Sequence, residues 1–425
     1  MAAEVGVGLI GLGTVGSAVA RRLVDRWELL GARAGAVPVL RRVAVRDPTR
    51  QREVPLPRVT VDGDAEALVD DPAVALVVEV MGGVDRASSL IERALRHGKP
   101  VVTANKAALA AHGLELAALA ADQGVSLRYE AAAGGGLPVV GLLRDSLRGD
   151  RVSSLQMIIN GTTNIILSAM ERDGIALAEA LLEAQRRGFA EADPSADVDG
   201  HDAAAKVLLL SRLAFDAALA VGDVETIGIR DLDAIDIACA QGLGGSVKLV
   251  GNAVDTGGGL ALWVRPTVVV VGHPLHGVDD GDNALVVDAD LAGRIVLRGP
   301  GGGGASTASA VVSDVVASVR APRQPPPVPV SVRPLVPGHT VERAAYLRVV
   351  LAEVRDAAAL TVQALEDRGV GVAVSAPAPG LPATAQLALL TEVVSGEVLD
   401  GAVDTLDSLA AVDAVAAVLD CVGPV

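Results

Sequence analysis

An α/β fold in three parts is predicted for this 425-residue chain by three observations. Strand-like and helix-like apolar runs alternate up to about residue 130. A glycine-rich turn joins the first strand directly to the first helix. A proline cluster near residue 325 is followed by a fresh strand–helix pattern. Alternating strands and helices build a parallel sheet with crossover helices. The boundaries read as 1–130, a mixed α+β region over 131–320, a proline-rich linker over 321–343 and a small βαββαβ unit over 344–425.

The first strand, Val7-Gly8-Leu9-Ile10, runs into Gly11-Leu12-Gly13-Thr14-Val15-Gly16 and the helical stretch Ser17 to Leu23. In that context the glycines form the dinucleotide fingerprint of a Rossmann-type domain: they allow a tight turn, close backbone approach to a pyrophosphate and packing of helix on strand. Gly11, Gly13, Thr14, Val15 and Gly16 are therefore candidate cofactor-binding residues; the alternative is a turn of the same shape with no ligand. The second strand, Val39 to Val45, ends in Arg46-Asp47. A guanidinium at this point suits a ribose phosphate, which favours NADP(H), while the adjacent Asp47 leaves NAD(H) open. A plain loop arginine is the blander reading. Later strands, Ala75 to Val80, Pro100 to Thr103 and Val125 to Glu130, put Met81-Gly82-Gly83 and Thr103-Ala104-Asn105-Lys106 beyond their carboxyl ends, where ligands bind in such sheets. Asn105 also suits a helix N-cap.

After Glu130, the small-residue run Ala131 to Pro138 exposes carbonyls that, with one carboxylate, suit a hard cation; a tight interdomain turn explains it as well. The mixed region that follows, with strands such as Ser154 to Ile159 and Leu260 to Val264, is read as the catalytic and subunit-contact domain. It holds the densest chemistry: Asn160-Gly161-Thr162-Thr163-Asn164, then Gly188, Glu191, Asp193, Asp197 and Gly200, then Asp202 and Lys206 one helical turn apart. Apolar residues surround the last two, which places the pair inside the protein. Desolvation lowers a lysine pKa and a neighbouring carboxylate raises it, so Lys206 suits a general acid or base; a structural ion pair is the alternative. The tract Gly299 to Gly304 precedes Thr307 to Val315 and reads as a loop opening a helix near the cofactor, rather than a flexible linker. Linker composition belongs to Arg323 through Gly338, where prolines cluster.

Composition narrows the function. A formal charge of −16 repels phosphate backbones, and 1% aromatic residues leave no stacking platform, so nucleic acid is a poor partner. Cys239 and Cys421 lie far apart and suggest neither a disulfide framework nor zinc. His273-Pro274-Leu275-His276 reads as a turn. The apolar runs are interrupted by charges, and no signal precedes the first strand; a soluble cytoplasmic protein with no membrane association is expected.

Together, Gly-Leu-Gly-Thr-Val-Gly at 11–16, Thr-Ala-Asn-Lys at 103–106, Asn-Gly-Thr-Thr-Asn at 160–164, the stretch from Glu191 to Lys206, His273-Pro-Leu and Asn283-Ala284 resemble homoserine dehydrogenases over roughly residues 5 to 320. The tail from about Tyr346 resembles the ACT domain of many bacterial members. The resemblance implies NAD(P)-dependent interconversion of L-aspartate 4-semialdehyde and L-homoserine, on the branch to threonine, isoleucine and methionine. It implies Lys206 as proton donor, Glu191 and Asp202 as substrate-binding carboxylates with Asp197 behind them, and Lys106 between cofactor and substrate. Thr103, Gly188 and Gly303 fall at cofactor positions, and Glu130 with the carbonyls of Ala133, Gly135 and Leu137 resembles a sodium site. A homodimer or homotetramer is expected, the dimer first. The tail departs from the family: an Asp-x-Pro-Gly turn is replaced by Glu353-Val354-Arg355-Asp356-Ala357-Ala358, which argues against threonine feedback. A sensing protein on the same scaffold would be expected to lack Lys106 or Lys206, and a dehydrogenase for another semialdehyde or imine would lack the Asn160 to Lys206 pattern.

Overall fold

Six strands make the first sheet: β1 (Glu4–Ile10), β2 (Val37–Ala44), β3 (Thr60–Asp62), β4 (Leu76–Glu79), β5 (Val101–Thr103) and β6 (Leu127–Arg128). Their order is β3-β2-β1-β4-β5-β6 and every pairing is parallel. The order reverses between β1 and β4, which is where a doubly wound sheet binds its ligand. These features come from a computed structural model that describes residues 3–50, 54, 56, 59–323 and 330–423. The expected spacer at Pro325 to Pro329 lies outside the described residues.

Both faces of the first sheet are covered, as strands such as β1 and β4, with no alternation of polar and apolar residues, require. On one face Val77 and Val101 pack with Leu90, Ile91 and Leu95 of the Asp85–Arg96 helix and with Leu109 and Leu116 of the Lys106–Asp122 helix. On the other, Val7, Leu9 and Val78 pack with Val19 and Leu23 of the Thr14–Asp25 helix and with Val311 and Val315 of the Gly304–Arg320 helix. The chain thus returns to the first sheet after residue 299, and its compact unit comprises Met1–Arg151, Leu208–Val221 and Gly299–Val332. This division differs from boundaries drawn along the sequence. Burial of the small-residue helix face against β1 and β4 is the reason.

The second unit, Val152–Val207, Gly222–Arg298 and Arg333–Val425, carries a ten-stranded mixed sheet. Its strands are β7 (Val152–Ile158), β8 (Glu225–Thr226), β9 (Gly245–Asp255), β10 (Leu260–Val270), β11 (Asp282–Ala289), β12 (Gly293–Pro300), β13 (Ala344–Leu351), β14 (Val372–Pro377), β15 (Gln386–Thr391) and β16 (Val412–Val422). The order is β12-β11-β7-β9-β10-β16-β13-β15-β14, with β8 also on β10. The tail forms the expected βαββαβ sequence, with helices Ala357–Glu366 and Gly396–Asp407. It does not stand as a separate compact unit: the end of β16 pairs in parallel with Thr267 to Val269 of β10.

Two tail side chains fasten it to the Ala234–Gly242 helix. Arg348 on β13 donates from Nε and Nη2 to the two carboxylate oxygens of Asp236 at 2.7 and 3.1 Å, and Tyr346 Oη donates to Asp236 at 2.9 Å. Asp236 belongs to the Ala234–Gly242 helix and is 3% exposed. In the altered turn, Asp356 adopts φ of 60° directly before the Ala357–Glu366 helix. The left-handed conformation is kept, although a β-carbon costs it roughly 1–2 kcal/mol.

Candidate active site

In the second unit the strand β7 ends at Ile158, and Asn160 caps the Gly161–Asp173 helix by accepting the Thr163 amide at 2.8 Å. That cap fixes the other end of the Asn160 amide. Its Nδ2 donates to Asp197 Oδ1 at 2.6 Å and to Asp202 Oδ2 at 2.8 Å. One neutral donor thereby links two carboxylates that would otherwise repel. Asp202 lies at the start of the His201–Ala214 helix, which follows Gly200. One turn later Lys206 Nζ meets Asp202 Oδ2 at 2.8 Å and donates to the Ile159 carbonyl at 2.7 Å. The side chains are 13% and 7% exposed for Lys206 and Asp202, so the pair is nearly dry, as its apolar flanks predict.

Asp197, Asp202 and Lys206 are therefore brought together, with Asn160 as the hub. Glu191 is not joined to them. It sits on an exposed loop after the Leu177–Arg186 helix, and among the described residues no hydrogen bond links its carboxylate to the network. Gly188 is exposed in the same loop, which is tied back by Thr162 Oγ1 donating to the Phe189 carbonyl at 3.2 Å and by Arg187 stacked over the Phe189 ring.

In the first unit, the glycine turn leaves β1 with Gly11 at φ of 100°, and a β-carbon on Gly16 would fall 2.2 Å from the Gly11 carbonyl oxygen. Both positions demand glycine, and together they open the amino end of the Thr14–Asp25 helix. Past β2, Arg46 and Asp47 are both exposed, and Asp47 accepts the Thr49 amide of its own turn at 2.9 Å. Gly303 directly precedes the Gly304–Arg320 helix, with Gly304 against Thr14.

A buried chain of hydrogen bonds joins the ends of β4 and β5. Glu79, fully buried, accepts Thr103 Oγ1–H at 2.6 Å and the Met81 amide at 2.8 Å. Thr103 Oγ1 accepts the Asn105 amide at 2.9 Å. Asn105 caps the Lys106–Asp122 helix and donates to the Gly83 carbonyl at 2.7 Å. Lys106 thus occupies the first position of a firmly capped helix. Burial pushes the Glu79 carboxyl above the usual carboxylate range, against the pull of those hydrogen bonds.

The stretch after β6 is a single helical turn, Glu130–Ala133, rather than a plain loop. Glu130 is buried, and its carboxylate accepts the amides of Val140 and Gly141 at 2.8 Å each. Its own amide donates to Asp314 at 2.8 Å. Burial raises both carboxyls, Asp314 to about 6. A carboxyl raised in the folded state from about 3.8 favours folding most below its unfolded pKa and loses that contribution as pH climbs to about 6. The loss is about 3 kcal/mol. Replacing Asp314 by Asn retains an acceptor and removes the titration. Urea unfolding is expected to show that variant gaining stability relative to the parent by about 2 kcal/mol between pH 4.5 and 7; a constant difference between the two would refute it.

Sequence reasoning does not single out Glu79 or Asp314. Each is a lone acid inside an apolar run, and that break in pattern is the available signal. Comparisons with known proteins point to one family. A homoserine dehydrogenase NAD-binding domain model matches residues 11–130, and a homoserine dehydrogenase model matches 138–316. A homoserine dehydrogenase of Mycobacterium bovis is 39% identical over 98% of this chain and 97% of its own. The crystal structure of a homoserine dehydrogenase from Thiobacillus denitrificans superposes with a TM-score of 0.90 at 34% identity, covering 99% of this chain and 98% of that one. A hyperthermophilic archaeal homoserine dehydrogenase mutant, in complex with NADPH, covers 74% of this chain and 97% of its own at 27% identity and a TM-score of 0.64. A fingerprint turn at the switch point of a parallel sheet, a buried Asp–Lys pair on a capped framework and relatives matching end to end lead to one conclusion: the chain belongs to the homoserine dehydrogenase family, oxidoreductases that act on the CH–OH group of homoserine.

Proposed function

We propose that this chain interconverts L-aspartate 4-semialdehyde and L-homoserine with NADP(H), and that Lys206 supplies and recovers the proton on the substrate oxygen. The carrying observation is the nearly dry contact of Lys206 with Asp202 and the Ile159 carbonyl. Those two acceptors engage two of the three ammonium protons and aim the amine; the third is assigned to the oxygen that becomes the alcohol. When bound, the nicotinamide supplies the hydride for reduction and takes it back for oxidation. Asp202 and Glu191 are assigned to the substrate ammonium, for which carboxylates are the natural partners. Asp197 acts behind Asp202 through Asn160. Because Glu191 stands on an exposed loop, its role requires that loop to settle on the substrate. Lys106 is assigned to stabilising the developing oxyanion.

NADP(H) is the preferred cofactor in this reading. Asp47 is held by its own turn, whereas Arg46 projects where a 2′-phosphate suits a guanidinium. The carboxylate of Glu130 and the carbonyls of Ala133, Gly135 and Leu137 are proposed to hold a sodium ion. The fit rests on a buried acid whose pKa burial has raised, because a cation offsets that cost. We further assign residues 1–130 to cofactor binding and 131–320 to catalysis and subunit contact, with the Gly304–Arg320 helix completing the cofactor half. Residues 321–343 are the linker, and 344–425 an ACT-like unit without threonine feedback, in a cytoplasmic homodimer. Among the described residues no helix is long and apolar enough to cross a membrane.

Initial rates of homoserine oxidation with NADP against NAD, with and without threonine, test the reading. A preference for NADP that falls about tenfold or more in Arg46→Ala is expected, with no response to threonine. Equal use of both cofactors by the parent protein refutes the preference.

A further inference from the structure

Glu79 is unusual among the acids of the first unit: it is fully buried and ends an otherwise apolar strand. It also stands at the carboxyl edge of the sheet, next to the strand that carries the glycine turn. Its two oxygens serve different loops. Oε1 accepts the Met81 amide, anchoring the start of Met81-Gly82-Gly83; Oε2 accepts the Thr103 hydroxyl, anchoring Thr103-Ala104-Asn105-Lys106. The relay continues through Thr103 Oγ1 to the Asn105 amide, and Asn105 Nδ2 returns to the Gly83 carbonyl. A closed circuit of hydrogen bonds therefore joins both loops, with one carboxylate as its source of acceptors.

The polarity runs toward the acid: Thr103 Oγ1 accepts from the Asn105 amide and donates its one proton to Glu79, and Met81 offers only an amide donor. Both Glu79 oxygens must act as acceptors, which is the carboxylate's pattern and no amide's. Glutamine in the same shape would set an NH2 group either against the Met81 amide or against Thr103 Oγ1, where the hydroxyl proton would no longer face an acceptor. In either orientation a buried donor loses its acceptor.

We infer that Glu79 is a positioning residue for the nicotinamide cofactor, locking the Met81–Gly83 and Thr103–Lys106 loops in a single arrangement on which the cofactor lies. The inference rests on the proposed NADP(H) reading and deepens it. Glu79 touches neither reacting atom; it acts through the backbone of both loops and through the cap that starts the Lys106 helix.

The test is a double-mutant cycle with the full chain, read by NADPH fluorescence titration, by amide hydrogen exchange over 80–84 and 103–106, and by homoserine KM at saturating cofactor. Glu79→Gln is expected to weaken NADPH binding by about tenfold or more. Both loops should exchange faster, while homoserine KM changes less than about twofold. Thr103→Val should reproduce that loss and Thr103→Ser should largely restore affinity. Because the two residues act as one circuit, the Glu79→Gln/Thr103→Val double variant should bind no worse than the weaker single variant. Folded Glu79→Gln with parental affinity, or additive losses in the double variant, overturns the inference. If Glu79→Gln fails to fold, Thr103→Val decides it: parental affinity there overturns the inference. Failure of the parent protein to bind NADPH counts against the cofactor reading itself, and is thereby separated from a failure of Glu79's role.

Discussion

Lys206→Ala is expected to bind NADPH within about threefold of the parent protein and to lose about 10²- to 10⁴-fold in turnover, the usual reach of a positioned general acid. Local collapse does not explain such a loss, because Asp202 keeps its hydrogen bond from Asn160 Nδ2 and is not left bare. A companion substitution separates charge from proton transfer. Lys206→Arg preserves a cation beside Asp202, yet a guanidinium does not give up its proton near neutral pH, so turnover should stay at least about a hundredfold down. Stopped-flow reduction of the semialdehyde, with cofactor affinity measured separately, reads both effects. Turnover of Lys206→Ala within tenfold of the parent would mean that the proton comes from elsewhere.

Asp236→Ala is expected to destabilise the second unit by about 3–5 kcal/mol, a large part of the roughly 5–15 kcal/mol that holds a typical domain together. The cost arises from what stays behind. Arg348, 7% exposed, loses both Asp236 oxygens and keeps only Gln386 Oε1 at 3.1 Å and the more distant Asp233, and Tyr346 loses the acceptor for its buried hydroxyl. A guanidinium does not give up its proton in proteins, so the cation left in the variant will not shed its charge to relieve the burial. A surface pair provides the control: Arg96 and Glu92 are 63% and 45% exposed, and Glu92→Ala should change stability by no more than about 0.5 kcal/mol. Urea unfolding of the two variants measures the contrast, and comparable small losses would refute it.

Much of this site is legible in the residues themselves. The glycine turn reads correctly because strand, turn and helix are contiguous, and local sequence carries the whole motif. The Asp202–Lys206 contact is also local, being one turn of a helix whose other faces are apolar. Asn160 is legible only in half: its capping oxygen follows from the helix start, but the amide that reaches Asp197 and Asp202 depends on segments 37 and 42 residues away. Glu79 shows the same limit. As a strand residue it has no visible partner until β5 brings Thr103 alongside, 24 positions later. Periodicity identifies strands but not their neighbours, which is why β16 pairing with β10 emerges only in three dimensions, whereas the small-residue helix after the glycine tract already points back to the cofactor half.

The seat of β16 gives the C-terminal segment an architectural role. Flanked by β10 on one side and β13 on the other, it is a keystone between the β12-to-β10 part of the sheet and the βαββαβ tail. A chain trimmed before it would trade an interior strand for a raw edge along Thr267 to Val269, the kind of surface that recruits other strands. The tail is thus masonry: its last strand closes an edge that would otherwise lie open.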